Sequence, residues 1–375
     1  MNRWLALFLL LVIGPLHAAK DHVSVYPARR PGGVTLDILG STDTGVFDAL
    51  IEDYRTLHPS TAIRYRERGA QELYTEYLAA QATNTSPDLV ISSAMDLQSK
   101  LVNDGHALAY ESPEAVAIPA WAQWRHEIYG FSYEPVVMVY NTRLMRSDQA
   151  PASHKALLAM LLDPSSPLLG RIGIYDARSS SVGYFLATQD ARVGQMAAAL
   201  STALGHSAAH TDDGTTALLD RIERGELTLG YNLLGSYAQV RIEHGAPLAI
   251  VQPQDYTLAI SRTVLISKTA RQPREAAHFV DYLLSRRGQA VLAQHSGILP
   301  IRIDIPSPAG SLERLGPTRP IPLGPELLVY LDQMKRAAFL KDWDDAMRRE
   351  TTGSSDPIQG PAVRGNSIGA DKAKP

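Results

Sequence analysis

The sequence predicts an α/β protein in which parallel sheets are covered by helices, and three observations predict it. The chain has 375 residues, room for about two domains of ordinary size. Strand-type runs alternate with helix-type spacings, and short connections join them. This alternation runs through two successive series, as expected where each strand must be covered by a crossover helix.

In the first series, residues 34–39 (VTLDIL) read as a strand, followed by the loop 40–45 (GSTDTG). Phe47, Leu50, Ile51 and Tyr54 then recur at helical spacing through 46–57. A second strand is expected at 63–67, a helix at 72–82 and an apolar strand at 88–92. Strands near 129–133 and 136–141 lead into the second series. There, helix 155–162 and strand 171–175 precede a Ser-rich turn and helix 183–188. Helices at 195–204 and 215–224 follow, then strand 227–231, helix 237–243 and strand 248–251. Residues 258–266 form another apolar run, with helices at 273–285, 288–294 and within 326–349. Residues 20–33 read as a polar, Pro-bearing lead-in, and 351–375 as a disordered tail poor in large apolar side chains.

Composition narrows the function. Hydrophobic residues make up 45% and charged residues 20%, ordinary globular usage. A formal net charge of -3, without basic clusters, argues against nucleic-acid binding. Cysteine is absent, which excludes disulfides, thiolate metal sites, Cys nucleophiles and a lipid-modified Cys anchor. Arg3, the apolar run 4–16 and His17-Ala18-Ala19 have the three-part form of a secretory signal peptide over residues 1–19. The apolar run falls short of the ~20 residues that span a bilayer as a helix. A soluble, exported, periplasmic protein is expected.

Open parallel sheets bind ligands beyond the carboxyl ends of their strands, where helix amino ends offer unpaired N–H groups. The turns at those ends carry hydroxyl and amide groups: Ser41-Thr42-Asp43-Thr44, Ser92-Ser93, Arg178-Ser179-Ser180-Ser181 and Asn232 through Ser236-Tyr237. Helix capping alone explains one such residue per turn. Three serines beside Arg178 exceed that need and suit a phosphate, sulfate or carboxylate. Asp43 fits an anion site only by accepting bonds from ligand hydroxyls or by capping its own helix.

The segments 87–105 (PDLVISSAMDLQSKLVNDG), 136–141 (VVMVYN), 227–238 (LTLGYNLLGSYA) and 288–302 (GQAVLAQHSGILPIR) resemble, in that order, bacterial extracellular solute-binding proteins of ABC importers. The similarity covers roughly residues 34–302 and is to the branch of ferric, phosphonate, sugar-phosphate and phosphoglycerate-sensing receptors. It implies the type II periplasmic binding protein fold: two lobes joined by crossing hinge strands at 133–141 and 256–266, closing over ligand in the cleft. Lobe one would comprise 34–136 plus 262–349, with the C-terminal helices, and lobe two 137–261. The implied partners are a small anionic solute and a membrane ABC permease, with the protein a monomer lacking a cofactor or enzymatic activity. Ferric receptors of this branch carry a tyrosine pair at the start of a second-lobe helix. Here that segment reads Asn232-Leu233-Leu234-Gly235-Ser236-Tyr237, so a small phosphorylated or carboxylated metabolite leads and ferric iron is the alternative. A ligand-sensing subunit for a membrane histidine kinase is the other. The expected ligand contacts are Ser41, Thr42, Ser93, Arg178, Ser179, Ser180, Ser181, Asn232, Ser236 and Tyr237.

Other chemistry finds less support. His206 and His210 sit at a helix end and loop, and no metalloprotease, nucleophile-elbow or phosphate-loop pattern occurs.

Overall fold

In a computed structural model of the chain, residues 22–306 and 317–348 are described. The expected signal peptide and C-terminal tail lie outside them.

Strands β1 (His22–Tyr26), β2 (Thr35–Gly40), β3 (Ala62–Glu67), β4 (Leu89–Ser92), β5 (Gln123–Trp124) and β6 (Ile128–Gly130) belong to a first sheet. β7 (Ser132–Asn141), β8 (Ile172–Tyr175), β9 (His210–Asp212), β10 (Leu229–Leu234), β11 (Leu248–Val251) and β12 (Thr257–Ile260) form a second. β13 (Thr263–Ile266) returns to the first sheet, whereas β14 (Leu299–Pro300) and β15 (Thr318–Pro320) pair with β7 and β12. The helices of the first half are α1 (Thr44–Leu57), α2 (Ala70–Ala82), α3 (Met95–Asn103), α4 (His154–Leu162) and α5 (Ser181–Val193). After them come α6 (Met196–His206), α7 (Thr215–Glu223), α8 (Gly235–Glu243), α9 (Pro273–Leu284), α10 (Arg286–His295) and α11 (Gln333–Met347).

The first sheet has the order β1-β3-β2-β4-β13-β6-β5, with β3, β2 and β4 parallel. The second runs β15-β12-β7-β10-β8-β9, with β10, β8 and β9 parallel and β7 antiparallel to β10. Each sheet is the floor of one lobe, and helices cover it because strands such as LVIS and LGYNLL are apolar on both faces. On α1, Phe47, Leu50, Ile51 and Tyr54 are buried, and Phe47 packs against Tyr65, Phe131 and Phe279.

Two strand-to-strand crossings join the sheets, before the chain returns to the second sheet through β14 and β15. Going out, it passes from β6 through Phe131 into β7; coming back, it passes from β12 through Ser261 and Arg262 into β13. The crossings are bonded to each other, Phe131 N–H to the Arg262 carbonyl at 2.9 Å and Arg262 N–H to Ser132 Oγ at 2.8 Å. Along β7, Ser132–Pro135 pair with β14 and β12, and pairing with β10 begins at Val136.

Two expectations are corrected. Part of the expected lead-in is strand β1, an edge strand running antiparallel to β3 from His22↔Glu67 to Tyr26↔Ile63. The C-terminal helix α11, expected with lobe one, lies on α6 of lobe two, where the Ala346 carbonyl comes so close to Gly205 that a Cβ there would meet it at 1.8 Å. None of the side chains of α11 is fully buried, and a hollow of about 650 Å³ lies beneath it, walled by Ala197, Ser201, Phe339 and Trp343.

Candidate functional site

The turns after β2 and β10 meet at the crossings between the lobes. From lobe one, Thr42 Oγ1 accepts a bond from Arg262 Nη1 at 2.8 Å, while Tyr65 donates to the Thr42 carbonyl at 2.6 Å. From the outgoing crossing, Glu134 faces Arg262, with Nε 2.8 Å from Oε1 and Nη2 bonded to Oε2 at 3.1 Å. From lobe two, Ser236 donates to Glu134 Oε2 at 2.7 Å, and the guanidinium lies 5.5 Å from the ring centre of Tyr237. Ser132 completes the shell, donating to Glu134 Oε1 at 2.9 Å. Arg262 is 1% and Glu134 0% exposed. Burial opposes the Arg262 charge, but Glu134 and Tyr237 outweigh it and hold the guanidinium firmly protonated.

Beside this pair stands Asp43. It occupies the cap position of α1 yet makes no cap bond; Glu67 Oε2 takes that role, accepting Thr44 N–H at 2.8 Å and its hydroxyl at 2.6 Å. Asp43 is instead close enough to Tyr237 of the other lobe for that hydroxyl to lower its pKa. Burial, then the Glu67 charge, push its pKa up against the opposing pull of Arg262 and Tyr237. Tyr237 is raised to about 12, first by burial.

A second point of approach lies between helix amino ends. Ser181 opens α5 in lobe two, and its hydroxyl reaches Gln71 Oε1 at 3.5 Å, in the first turn of α2 in lobe one. Ser180 caps α5 through Gly183 N–H at 3.1 Å, whereas no side chain caps α2. Ser41 bonds Ser92 Oγ at 3.0 Å, and Ser93 is buried at the start of α3.

Of the expected contacts, Thr42, Ser236 and Tyr237 therefore come together, with Ser41 and Ser93 on neighbouring turns and Ser180 and Ser181 at the α5–α2 approach. Three others have partners away from this meeting point. Arg178 pairs with Asp344 of α11, because α11 lies on lobe two. Ser179 donates to Asp213 on the surface. Asn232 sits in the bulge where β10 breaks register with β7; at φ 61° its amide turns to Asp190 at 2.5 Å. Asp190 also accepts from Tyr231 at 2.7 Å and Tyr256 at 3.1 Å, and burial raises its pKa.

Glu134 and Arg262 escaped sequence reasoning, which took the crossings as hinges only. The available signal was one charge of each sign inside otherwise apolar runs, SYEPVVMVYN and LAISRTVLIS.

A profile of the family "Bacterial extracellular solute-binding protein" matches residues 36–296, well over half of the chain. The chain belongs to that family. This solute-binding protein is also similar to a solved substrate-binding protein of an ABC transporter from Agrobacterium tumefaciens, at 30% identity, TM-score 0.81, covering 88% of this chain and 100% of that one. It shares its fold with the periplasmic binding protein AfuA of Actinobacillus pleuropneumoniae, solved with fructose-6-phosphate bound (20% identity, TM-score 0.71, 84% and 99% covered). Iron-bound HitA of Pseudomonas aeruginosa has the same fold at 17% identity and TM-score 0.68, with 84% and 99% covered. No curated protein sequence matches the chain. The solute-binding protein thus has the two-lobed α/β fold of this family, and the pair Arg262–Glu134 lies where its two lobes join. Among the described residues no helix is long and apolar enough to cross a membrane, and no group of three or more His, Cys, Asp or Glu could hold a metal ion.

Proposed function

We propose that this protein is the periplasmic receptor of an ABC importer, and that it captures a small hydroxylated organic anion, a phosphorylated or carboxylated metabolite, between its lobes. It works as a monomer without a cofactor and hands the closed, loaded form to a membrane permease.

The observation that carries the ligand class is the 3.5 Å approach of Ser181 to Gln71. A helix amino end bears about half a positive unit charge. Here two such ends, from opposite lobes, approach each other. Closing them together costs repulsion that an anion between them removes, and a ligand that favours closure by its differential contacts is the physical basis of capture. Because Arg262 is already paired with Glu134, the N–H groups of α2 and α5 supply the positive field. Asp43, freed from capping by Glu67, is the acceptor for ligand hydroxyls, joined by Tyr237. Ferric iron is disfavoured by the single tyrosine at the start of α8.

Native mass spectrometry of the freshly purified protein tests this reading. A co-purified adduct with the mass of a hydroxylated phosphate or carboxylate is expected. An adduct of ferric ion, or of a neutral or cationic solute, would contradict it.

A further inference from the structure

The Arg262–Glu134 pair touches both lobes at once. Its lobe-one arm is Arg262 Nη1 to Thr42 Oγ1 at 2.8 Å, and its lobe-two arm is Ser236 Oγ to Glu134 Oε2 at 2.7 Å. Both arms are anchored on the crossings, where Ser132 bonds Glu134 and the Arg262 backbone. All of these side chains are buried. A bond to a charged group inside a protein is roughly twice as strong as a neutral one. Since Glu134 and Ser236 both belong to lobe two, opening the lobes would break the Thr42 arm or the ion pair itself and leave a charged end inside.

We infer that Arg262 and Glu134 form a clasp that holds the lobes together without ligand, and that Thr42 and Ser236 position the clasp. Thr42 and Ser236 thereby cease to be direct ligand contacts; their groups are spent on the two charges. A buried pair is often no more stabilising than apolar residues of equal volume, and its best-attested use is to select one arrangement over another. Here the arrangement selected is the closed one. The receptor then recognises ligand largely by selecting closed molecules already present, and its apparent affinity scales with the fraction closed. The clasp does not depend on what the ligand is.

Small-angle X-ray scattering on the ligand-stripped full chain decides the matter. Thr42→Val cuts the lobe-one arm, and Ser236→Ala frees the Glu134 end of the ion pair within lobe two, both without removing a charge. Unstapled, each variant should have a larger radius of gyration than the wild type, with the closed-to-open ratio down about tenfold. The proposal is overturned if the wild type without ligand is as expanded as the variants. Far-UV circular dichroism checks that each variant is folded. Should either unfold, the charge-free pair Glu134→Gln with Arg262→Met replaces it, and the same expansion is required. Failure of the proposed ligand class would leave this result untouched, since no ligand is present.

Discussion

Glu67 caps the helix that Thr44 begins: one carboxylate oxygen on β3 takes both the N–H and the hydroxyl of Thr44, at 2.8 and 2.6 Å. Asp43, one residue earlier, is thereby released from its local duty and turned toward Tyr237 across the cleft. The two acids should therefore separate in mutagenesis. Glu67→Ala should cost about 1 kcal/mol of stability, the usual value of a lost cap. Asp43→Asn should change stability by no more than about 0.5 kcal/mol but weaken a hydroxylated ligand about tenfold. Urea unfolding and titration calorimetry read the two effects, and a reversed pattern would return the cap to Asp43.

Asp96 gives a pH signature. It is buried in the first turn of α3, its Oδ1 has no hydrogen-bond partner, and burial pushes its pKa to about 7, opposed by backbone N–H groups and Arg336. The folded state thus holds this proton more tightly than the unfolded chain, whose aspartates titrate at about 3.9. The resulting stability is complete below the unfolded value and is lost as pH rises through about 7. The wild type should lose up to about 4 kcal/mol across this window relative to Asp96→Asn, which has no proton to release. Parallel slopes for the two proteins, measured by denaturant unfolding from pH 4 to 8, would show that Asp96 is hydrated.

How much of this was legible in the sequence depends on the range of the interaction. The hydroxyl-bearing turns at Ser41-Thr42, Ser92-Ser93, Ser180-Ser181 and Ser236-Tyr237 were legible because sheet topology alone puts such turns beside helix amino ends. Glu134 and Arg262 were not. Their meeting depends on β12 pairing with β7 at Ile260↔Glu134, a register set by the packing of both lobes. The bond of Asn232 to Asp190 was not legible because it depends on the register shift between Gly230 and Leu233, and nothing local in LGYNLL announces that shift. Strand β1 escaped because HVSVY is short and mostly exposed at an edge. The seat of α11 was hidden for a similar reason: a helix with no buried side chain has no strong face to betray its partner.

That weak seat is itself testable. A methyl group on Gly205 would lie 1.8 Å from the Ala346 carbonyl, and backbone cannot yield as a side chain does. Gly205→Ala should displace α11 from α6 and raise tryptophan exposure at Trp343, seen as a red shift in its emission and faster amide exchange over residues 333–347. Unchanged exchange there would mean that α11 does not depend on this contact.

Arg178 pairs with Asp344 while about half exposed, 51% for its side chain. Exposed pairs contribute between about 0 and 1 kcal/mol. Arg178→Ala should therefore lower stability by less than about 1 kcal/mol and leave ligand affinity within about twofold. A loss of binding beyond tenfold in calorimetry would return Arg178 to the ligand site.

Ser181→Asp offers the most direct test of anion capture between the lobes. It places a fixed negative charge where α5 faces α2, so it competes with the ligand for the same positive field. Calorimetric titration of hexose phosphates, glycerol phosphate and hydroxylated carboxylates should find a binder for the wild type and at least a tenfold loss in the variant. Equal affinity in both proteins would contradict the account.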